Sequence, residues 1–590
     1  MVSSVELDAP DADAGVDAEI RTCLNPDAPR SFFLYAGAGS GKTYSLVAGL
    51  KWFKSTHGAQ FKTMVKKIAI ITYTNAACDE IVDRLDEDPL FKIATIHSFC
   101  WDRIQAFHGD IRSWLLTTLP MEITELEAAE AKGRAGTKAS ITRQRSIASK
   151  QSRLDWLSQP REFIYSPTGE NTGRASLSHS EVLKIAASFL VSKPSMQQIL
   201  INQYPFLLID ESQDTNSTLI DAFFALELAR KSEFCLGLVG DMMQRIYGDG
   251  KADLGLVIPD HWATPVKRLN RRCPKRIVAL ANDIRADADG QTQSALRSQD
   301  EGCVRLFIAH ADTADKAALE ESVRQQMAEA TGDQGWVSNS GIKTLALEHR
   351  MSALRMGFAD MLIPLLDNDR FSTGVLNGSL GAVNLFSEAI WPLVEAISRT
   401  DDYAVMTLLR SKKSPLLSPA ALTDLSQIGD PLAPVREAVA AVVELVSTTA
   451  DASFADVLQC VAKHRLFPIP KSLEPFTVAL DETEIATESD DGDEELETEP
   501  ESQSRALESL REFLETPFFQ INSYIAYIDD SGDFDTHQGV KGREFERVLV
   551  VMDDADARGF LFSYEKLFAV KTPTGVIPLR GGGYADVSCC

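Results

Sequence analysis

The feature that most constrains this chain is the segment of residues 36–43, Ala-Gly-Ala-Gly-Ser-Gly-Lys-Thr, which follows the apolar run of residues 32–35. The pattern predicts a buried strand, a glycine-rich turn and a helix that begins near Gly41. Such a turn suits phosphate because backbone N–H groups at a helix N-terminus face the anion and glycines let the backbone approach it. Lys42 is then placed to reach β- and γ-phosphates, and the Thr43 hydroxyl to hold Mg²⁺.

The first position of this loop is alanine rather than glycine, so the pattern has the looser form Ala/Gly-x4-Gly-Lys-Thr. A chance glycine turn can satisfy such a pattern, so the interpretation needs support from other segments. The residues that we expect around the phosphates are Ala36, Gly37, Ala38, Gly39, Ser40, Gly41, Lys42 and Thr43.

Length and composition indicate a large globular protein of the cytoplasm. A chain of 590 residues suggests about four domains or subdomains. It has no uncharged apolar stretch of about 18 residues, and its acidic N-terminus does not resemble a signal peptide. The nine cysteines are scattered, which argues against a disulfide framework or a zinc cluster and favours a reducing compartment.

The net charge of −26 is unevenly distributed along the chain. Residues 481–501 hold twelve acidic side chains and no basic one. Residues 132–153 carry seven Lys/Arg and no acid, and residues 267–276 carry six Lys/Arg. Basic faces on an acidic protein can still follow a nucleic-acid backbone. For residues 132–153, a solvated mobile loop explains the composition equally well.

Short apolar runs alternate with helical stretches in the first third of the chain. Residues 68–71, 206–209 and 236–239 are typical of strands buried on both faces of a parallel sheet. Together with the intervening helices they predict an α/β domain. A second α/β region is expected to begin with a strand at residues 304–308 and to resume at 548–552.

Two carboxylates, Asp210 and Glu211, follow the predicted strand at residues 206–209. The carboxyl end of a strand is where open α/β sheets bind ligands. Asp210 is placed to hold Mg²⁺, directly or through water, and Glu211 to orient and deprotonate an attacking water. By itself this pair would more often be a helix N-cap. Beside a phosphate-binding loop, catalysis of phosphoryl transfer is the better interpretation.

Further segments make a family resemblance specific. The chain resembles the UvrD/Rep/PcrA-type superfamily 1 DNA helicases, whose motifs occur here in the family's order. After the phosphate loop, the matching segments are residues 72–77 (Ia), 95–100 (Thr-Ile-His-Ser-Phe-Cys), 210–214 (II), 239–247 (III), 269–272 (IV) and 536–545 (V).

The resemblance implies an α/β fold of two RecA-like P-loop NTPase lobes with parallel sheets, each carrying a mainly helical insertion. It also implies ATP and Mg²⁺ as cofactors, and a motor that moves 3′ to 5′ on single-stranded DNA and unwinds duplex. The expected boundaries are an N-terminal tail (1–30), lobe 1 (31–100 and 185–285), its insertion (101–184), lobe 2 (286–350 and 505–590), its insertion (351–480) and an acidic disordered linker (481–504).

The same resemblance assigns roles to single residues. Gln244 would sense the γ-phosphate, Arg272 would contact it from the second lobe, and Glu544 would link the nucleotide site to the DNA strand. The implied catalytic set is therefore Lys42, Asp210, Glu211, Gln244 and Arg272, and the implied DNA contacts are Tyr73, Thr74, His97, Tyr247 and Thr536. For Tyr73 a physical reason is independent, because aromatic faces stack on bases of any sequence.

The chain also departs from the family pattern. No glutamine precedes Ser31, so the family's adenine-reading residue is missing, and Asp249 replaces a base-stacking ring. Residues 580–590 contain no counterpart of the motif VI arginine. We therefore expect either a truncated product or a complex whose partner supplies an arginine in trans.

These departures leave a second function open. The chain could be an ATP-binding switch or sensor that signals to a partner such as a nuclease, in a DNA repair or anti-phage defence complex. An inactive remnant of a helicase is a third possibility. A motor must couple hydrolysis to strand displacement, whereas a switch need only bind nucleotide.

Overall fold

The computed structural model describes residues 13–554 apart from a set of short gaps. The chain forms two compact units, unit 1 ending at Arg305 and unit 2 beginning at Leu306. The undescribed positions inside these limits are 135, 167–173, 247, 287–288, 297, 311–314, 339–340, 369, 377, 419–420, 422–429, 431, 450, 478–499, 530, 537–538 and 541–542.

Unit 1 contains a six-stranded sheet in which every neighbouring pair of strands is parallel. The strands are β1 (Phe32–Ala36), β2 (Ile68–Thr72), β3 (Phe91–Thr95), β4 (Phe206–Ile209), β5 (Cys235–Gly240) and β6 (Val266–Lys267). The three predicted buried strands are present as β2, β4 and β5. The order β3-β2-β4-β5-β1-β6 confirms the mixed α/β fold of a P-loop NTPase.

The central strands are apolar throughout because both faces of this sheet are covered. In β1, Phe33 joins one hydrophobic core, whereas Phe32 and Leu34 join the other. The period of two in a strand sends alternate side chains to opposite faces. Burial on both faces explains why the sequence shows runs of apolar residues rather than an alternation.

Ten helices of unit 1 have described bounds. Residues 1–30 were expected to be a tail, but α1 lies within them and buries Val16, Ile20 and Cys23. The helices are α1 (Ala14–Cys23), α2 (Lys42–Thr63), α3 (Asn75–Arg84), α4 (Ile96–Ile104), α5 (His108–Lys132), α6 (Lys138–Trp156), α7 (His179–Ser192), α8 (Pro194–Gln203), α9 (Ser217–Ala229) and α10 (Lys275–Arg285).

The basic segment of residues 132–153 is largely helical, since α6 packs along α5. It is therefore not the mobile loop that was one of its two interpretations. Acidic side chains on neighbouring helices also neutralise several of its cations. These ion pairs are Arg143–Glu130 at 2.8 Å, Lys150–Glu122 at 2.6 Å and Arg153–Glu181 at 2.6 Å.

Two short strands complete unit 1. β7 (Leu269–Asn270) pairs in parallel with β8 (Ser294–Ala295), which brings the motif IV segment beside the residues that follow α10. Short 3₁₀ helices lie at Ser212–Asp214, Met242–Gln244 and Leu254–Leu256.

Unit 2 contains three strands, β9 (Ile342–Ala346), β10 (Phe534–Thr536) and β11 (Arg547–Val550). They form a parallel sheet in the order β10-β9-β11. The strand expected at residues 304–308 is not among the described strands of the chain, so this prediction is wrong. The segment forms no ladder, and Val304, Leu306 and Ile308 are exposed.

The rest of unit 2 is mostly helical, including the span expected to be a helical insertion. The helices are α11 (Lys316–Thr331), α12 (His349–Met356), α13 (Ala359–Leu366), α14 (Ser372–Leu376), α15 (Gly381–Asn384), α16 (Trp391–Ser398), α17 (Asp402–Ser411), α18 (Ala433–Thr448), α19 (Phe454–Lys463), α20 (Pro500–Leu514) and α21 (Gln520–Ile528), with a π-helical turn at Leu385–Ile390. Most of the acidic stretch of residues 481–504 lies outside the described residues, and residues 500–504 open α20.

Among the described helical segments, Gly374–Ser398 is long and apolar enough to cross a membrane by length and composition. Half of its most apolar window is buried. Phe386, Ile390 and Leu393 belong to the hydrophobic core of unit 2. A core helix of a globular protein passes the same test, so the segment is weak evidence for a membrane span.

Candidate nucleotide-binding site

The glycine-rich loop joins β1 to α2 as the sequence predicts. Gly39 and Gly41 have positive φ angles of 70° and 82°, and α2 begins directly after Gly41, at Lys42. Residues with a Cβ rarely adopt this left-handed conformation, so both positions require glycine. The loop thus ends at the N-terminus of a 22-residue helix, the arrangement that binds phosphate through backbone N–H groups.

Lys42 contacts two predicted catalytic residues from other strands. Its Nζ lies 3.1 Å from Oε1 of Glu211 and donates a 2.9 Å hydrogen bond to Oε1 of Gln244. The three residues follow β1, β4 and β5, which are neighbours in the order β4-β5-β1. Because the carboxyl ends of parallel strands meet at one edge, the sheet order brings these side chains together.

Asp210 and Glu211 occupy the turn after β4. Asp210 is buried, its backbone N–H donates to the carbonyl of Ile71, and its Oδ1 accepts a 2.9 Å hydrogen bond from the N–H of Glu211. Glu211 has a φ of 50° and a ψ of 44°, a left-handed conformation that costs about 1–3 kcal/mol for a residue with a side chain. Glu211 occupies the N-cap position of the 3₁₀ turn that follows, but its side chain makes no capping hydrogen bond to that turn.

Gln213 is a site residue that the sequence interpretation did not single out. Its Nε2 donates a 2.6 Å hydrogen bond to Oε2 of Glu211, and its Oε1 accepts one from the backbone N–H of Asp241 at 3.2 Å. The side chain is fully buried and joins the turns after β4 and β5. The position of Gln213 in the Asp-Glu-Ser-Gln-Asp motif is the sequence feature that could have identified it.

The side chain of Asp241 shapes the turn that presents Gln244. Its Oδ1 accepts a 3.1 Å hydrogen bond from the N–H of Met243, and its carbonyl accepts one from the N–H of Gln244. The 3₁₀ turn Met242–Gln244 is therefore held at its start, and the amide of Gln244 points to Lys42.

The donor set suits Mg²⁺ carried with a nucleotide. Thr43 supplies a hydroxyl and Asp210 a carboxylate, the hard oxygen ligands that this ion prefers, and phosphate oxygens commonly complete its shell. Among the described residues no group of three or more His, Cys, Asp or Glu could hold a metal ion without such help.

Arg272 lies in unit 1, in the turn between β7 and α10, and not in the second lobe as the resemblance implied. The N–H of its neighbour Arg271 donates to the carbonyl of Gly39 at 2.8 Å, so this turn contacts the phosphate loop directly. The Arg272 side chain is exposed. Contact of its guanidinium with a γ-phosphate stays a prediction.

The expected DNA contacts of unit 1 follow β2 and β3. Tyr73 is half-buried, and Thr74 caps α3 by accepting a hydrogen bond from the N–H of Ala77 at 3.2 Å. His97 lies in the first turn of α4. Because β2 and β3 pair in parallel up to their last residues, these side chains lie at one edge of the sheet. Tyr247 lies outside the described residues.

Asp249, the departure from the family's aromatic residue, has a structural contact. Its Oδ2 accepts a 3.2 Å hydrogen bond from Nδ2 of Asn216, and its carbonyl accepts one from the N–H of Ser217. The carboxylate therefore ties the motif III loop to the N-terminus of α9.

In unit 2 the motif V segment begins at Thr536, the last residue of β10. Thr536 is buried, and its Oγ1 accepts a 3.4 Å hydrogen bond from the N–H of Gly539. The carboxylate of Asp535 lies 3.6 Å from Nζ of the buried Lys343, a residue on β9 that the sequence interpretation did not anticipate. Glu544 is exposed, and its proposed link to the nucleotide stays a prediction.

The His97 environment gives a prediction for pH. Burial and the neighbouring His179 lower the pKa of His97 to about 4, against the opposing influence of Asp249. The unfolded histidine titrates near its usual value of about 6.5, so the unfolded chain takes up a proton first as the pH falls. As the pH falls from 7.5 to 5, we expect protonation of His97 in the unfolded chain to lower the free energy of unfolding by about 2 kcal/mol.

Denaturant titrations of the wild-type chain and the His97→Gln variant at both pH values measure this loss. The wild type should lose more stability than the variant by about that amount. Equal losses in the two proteins would contradict the buried, neutral histidine.

Two kinds of comparison relate the chain to known proteins. A family model described as an AAA domain (AAA_19) matches residues 25–249, which run from before the phosphate loop through motif III. The Gabija protein GajB of Bacillus cereus (strain HuB5-5) is 22% identical over 634 residues, covering 91% of this chain and 88% of GajB. The RecBCD enzyme subunit RecB of Buchnera aphidicola subsp. Schizaphis graminum (strain Sg) is 38% identical over 85 residues, which are 14% of this chain and 7% of RecB.

The geometry and the comparisons agree on the same region of the chain. The family match includes the strands that precede Lys42, Glu211 and Gln244. The likeness to GajB extends through both units. Motifs Ia, II and III lie at the carboxyl ends of β2, β4 and β5 of the six-stranded parallel sheet. The chain is therefore similar to the UvrD-like superfamily 1 helicases.

Proposed function

We propose that this chain is an ATP-dependent DNA helicase or translocase of the UvrD type, which hydrolyses ATP to move 3′ to 5′ on single-stranded DNA and to unwind duplex. One observation carries the proposal. Lys42, at the end of the glycine-rich loop, is held between Glu211 and Gln244 at the carboxyl edge of the parallel sheet. A phosphate binder, a carboxylate and an amide are thus assembled where α/β sheets bind ligands.

The contacts suggest how nucleotide changes the site. The β- and γ-phosphates would compete with Glu211 for the ammonium of Lys42. Glu211, still held by Gln213, could then orient a water and take its proton as the water attacks the γ-phosphorus and ADP leaves. Gln244 would also lose its hydrogen bond from Lys42. The loss of this bond would signal a bound γ-phosphate to the motif III turn.

Mg²⁺, bound with the nucleotide, would neutralise charge that develops on the phosphate oxygens. Thr43 and Asp210 are the residues that would hold it. Asp210 is buried with its backbone fixed to Ile71. Its carboxylate would therefore need little reorganisation to act as a ligand.

The DNA side of the proposal rests on the edge formed after β2 and β3. Tyr73 offers a ring on which bases of any sequence can stack, and His97 lies at the same edge. Single-stranded or partly duplex DNA is therefore the proposed partner, with Thr74, Tyr247 and Thr536 as further proposed contacts. We place the protein in the cytoplasm.

A second function is an ATP-dependent switch inside a larger complex, with a nuclease as the proposed partner. The likeness to the Gabija protein GajB covers most of both chains, and RecB is by its name a subunit of an enzyme. Asp249 supports this alternative. Its carboxylate, which accepts a hydrogen bond from Asn216, occupies the position at which a base-stacking ring would help the protein to step along DNA.

ATP hydrolysis with and without single-stranded oligo(dT) separates the two. For a motor we expect turnover that DNA stimulates at least tenfold and that Lys42→Ala abolishes, because the variant loses the phosphate ligand. Strand displacement should then occur on duplexes with a 3′ tail and not with a 5′ tail. If ATP binds but DNA changes nothing, the motor proposal fails and the switch remains.

A further inference from the structure

Two buried amide side chains bind the backbone of the phosphate loop. Nδ2 of Asn270 and Nε2 of Gln293 both donate to the carbonyl oxygen of Ala38, at 3.0 and 3.1 Å. Asn270 also donates to Oε1 of Gln293 at 3.3 Å. Because these bonds engage a carbonyl of the loop, they leave the loop's N–H groups available to an anion.

The contact between these amides and the loop is very close. A Cβ at Gly37 would lie 2.4 Å from Nε2 of Gln293, and a Cβ at Gly39 would lie 2.6 Å from Oδ1 of Asn270. A side chain at Gly37 or Gly39 would therefore have to displace one of these amide groups. Asn270 and Gln293 thus determine where the loop can lie.

Gln293 is itself held by α10. Nδ2 of Asn282 donates to the carbonyl of Gln293 at 2.8 Å, and Oδ1 of Asn282 accepts from its N–H at 2.9 Å. This paired bond to the backbone orients the Gln293 side chain toward the loop. A chain of contacts therefore runs from α10 through Gln293 to Ala38.

Arg285, three residues after Asn282 on α10, binds the motif III segment. Arg285 donates two hydrogen bonds of 2.9 Å to the carboxylate of Asp241, and it pairs with Asp289 at 2.7 Å. Asp241 holds the turn that carries Gln244. Both halves of the nucleotide site, the phosphate loop and the motif III turn, are thus bound to one helix.

We propose that α10 is the positioning element of this site and that Gln293 is the positioning residue of the phosphate loop. The inference rests on the proposed function, since it concerns how the loop is held for the phosphates of ATP. Gln293 is hydrogen-bonded to the loop through the carbonyl of Ala38, whereas phosphate would bind the loop's N–H groups. Its removal should therefore weaken phosphate binding more than it slows the chemical step.

The test replaces Gln293 with methionine, which keeps the volume and removes both amide contacts. The probe is a fluorescent ADP analogue with Mg²⁺, titrated into the full chain. We expect about tenfold weaker binding, as for the loss of one or two hydrogen bonds, with KM for ATP raised by the same factor and kcat changed less than twofold. Gln291→Met is the matched control, because no hydrogen bond of that side chain is found among the described residues.

Two further measurements keep the inference open to refutation. Asn282→Asp retains the bond from the N–H of Gln293 but not the bond to its carbonyl, so it should weaken ADP binding by a smaller factor in the same direction. If the wild type binds no nucleotide, the proposed function fails. If the wild type binds while Gln293→Met equals Gln291→Met, or only melts earlier with unchanged affinity, the positioning role of Gln293 is refuted.

Discussion

Replacing Glu211 with glutamine is expected to lower ATP turnover by about 10³-fold, within the range that a general base contributes. Glutamine keeps the size of the side chain but cannot take a proton from water. The ammonium of Lys42 loses its ionic partner in this variant and becomes more available to phosphates. Nucleotide should therefore bind at least as tightly as in the wild type while hydrolysis nearly stops.

Steady-state ATP turnover and titration with the fluorescent ADP analogue measure the two effects separately. Asp221→Asn is a suitable control, because it also replaces a carboxylate with the corresponding amide. Asp221 is an exposed residue of α9 that pairs with Lys251. If Glu211→Gln retains more than a tenth of the wild-type turnover, another group deprotonates the water. Loss of both binding and turnover would indicate a structural role instead.

Replacing Arg285 with methionine is expected to lower the free energy of unfolding by about 3–5 kcal/mol, the usual effect of breaking a buried ion pair from one side. Asp241 is only 4% exposed, and the variant leaves its carboxylate without the guanidinium that binds both of its oxygens. Methionine fills much of the same space, so the effect comes from the unpaired charge rather than from a cavity.

Denaturant unfolding of the wild type and the variant measures this loss. Arg276→Met, an exposed position on the same helix, should change stability by less than about 0.5 kcal/mol. Adding Asp241→Asn to Arg285→Met should recover part of the loss, because the second change removes the buried charge. A loss below about 1 kcal/mol would mean that the pair behaves as a solvated one.

The strand-loop-helix unit around the phosphate loop could be predicted because its determinants are local. Glycines at positions 39 and 41 permit left-handed backbone, and the apolar run before them suits a buried strand. The same holds for Asp210 and Glu211, which directly follow the apolar run of β4. In these cases a few neighbouring residues contain the whole signal.

The strands of unit 2 show where local patterns mislead. Residues 304–308 have the apolar character of a strand, but the described residues provide no partner for their backbone. β9 was not anticipated, because Lys343 and Thr344 interrupt its apolar pattern. Lys343 is buried there only because Asp535 on β10 and the carbonyl of Gly532 receive its ammonium. Strand formation therefore depended on partners far away in the chain.

The sequence by itself determined the fold class, the phosphate loop and the two carboxylates after β4, since backbone sterics and hydrophobic periodicity act over a few residues. Only the tertiary structure decided that Lys42 meets Gln244, 202 positions away, and that Gln213, Gln293 and Arg285 support the site. The order of strands in the sheet and the packing of α10 set these contacts. They arise when distant segments bury their polar groups against one another, which no local pattern encodes.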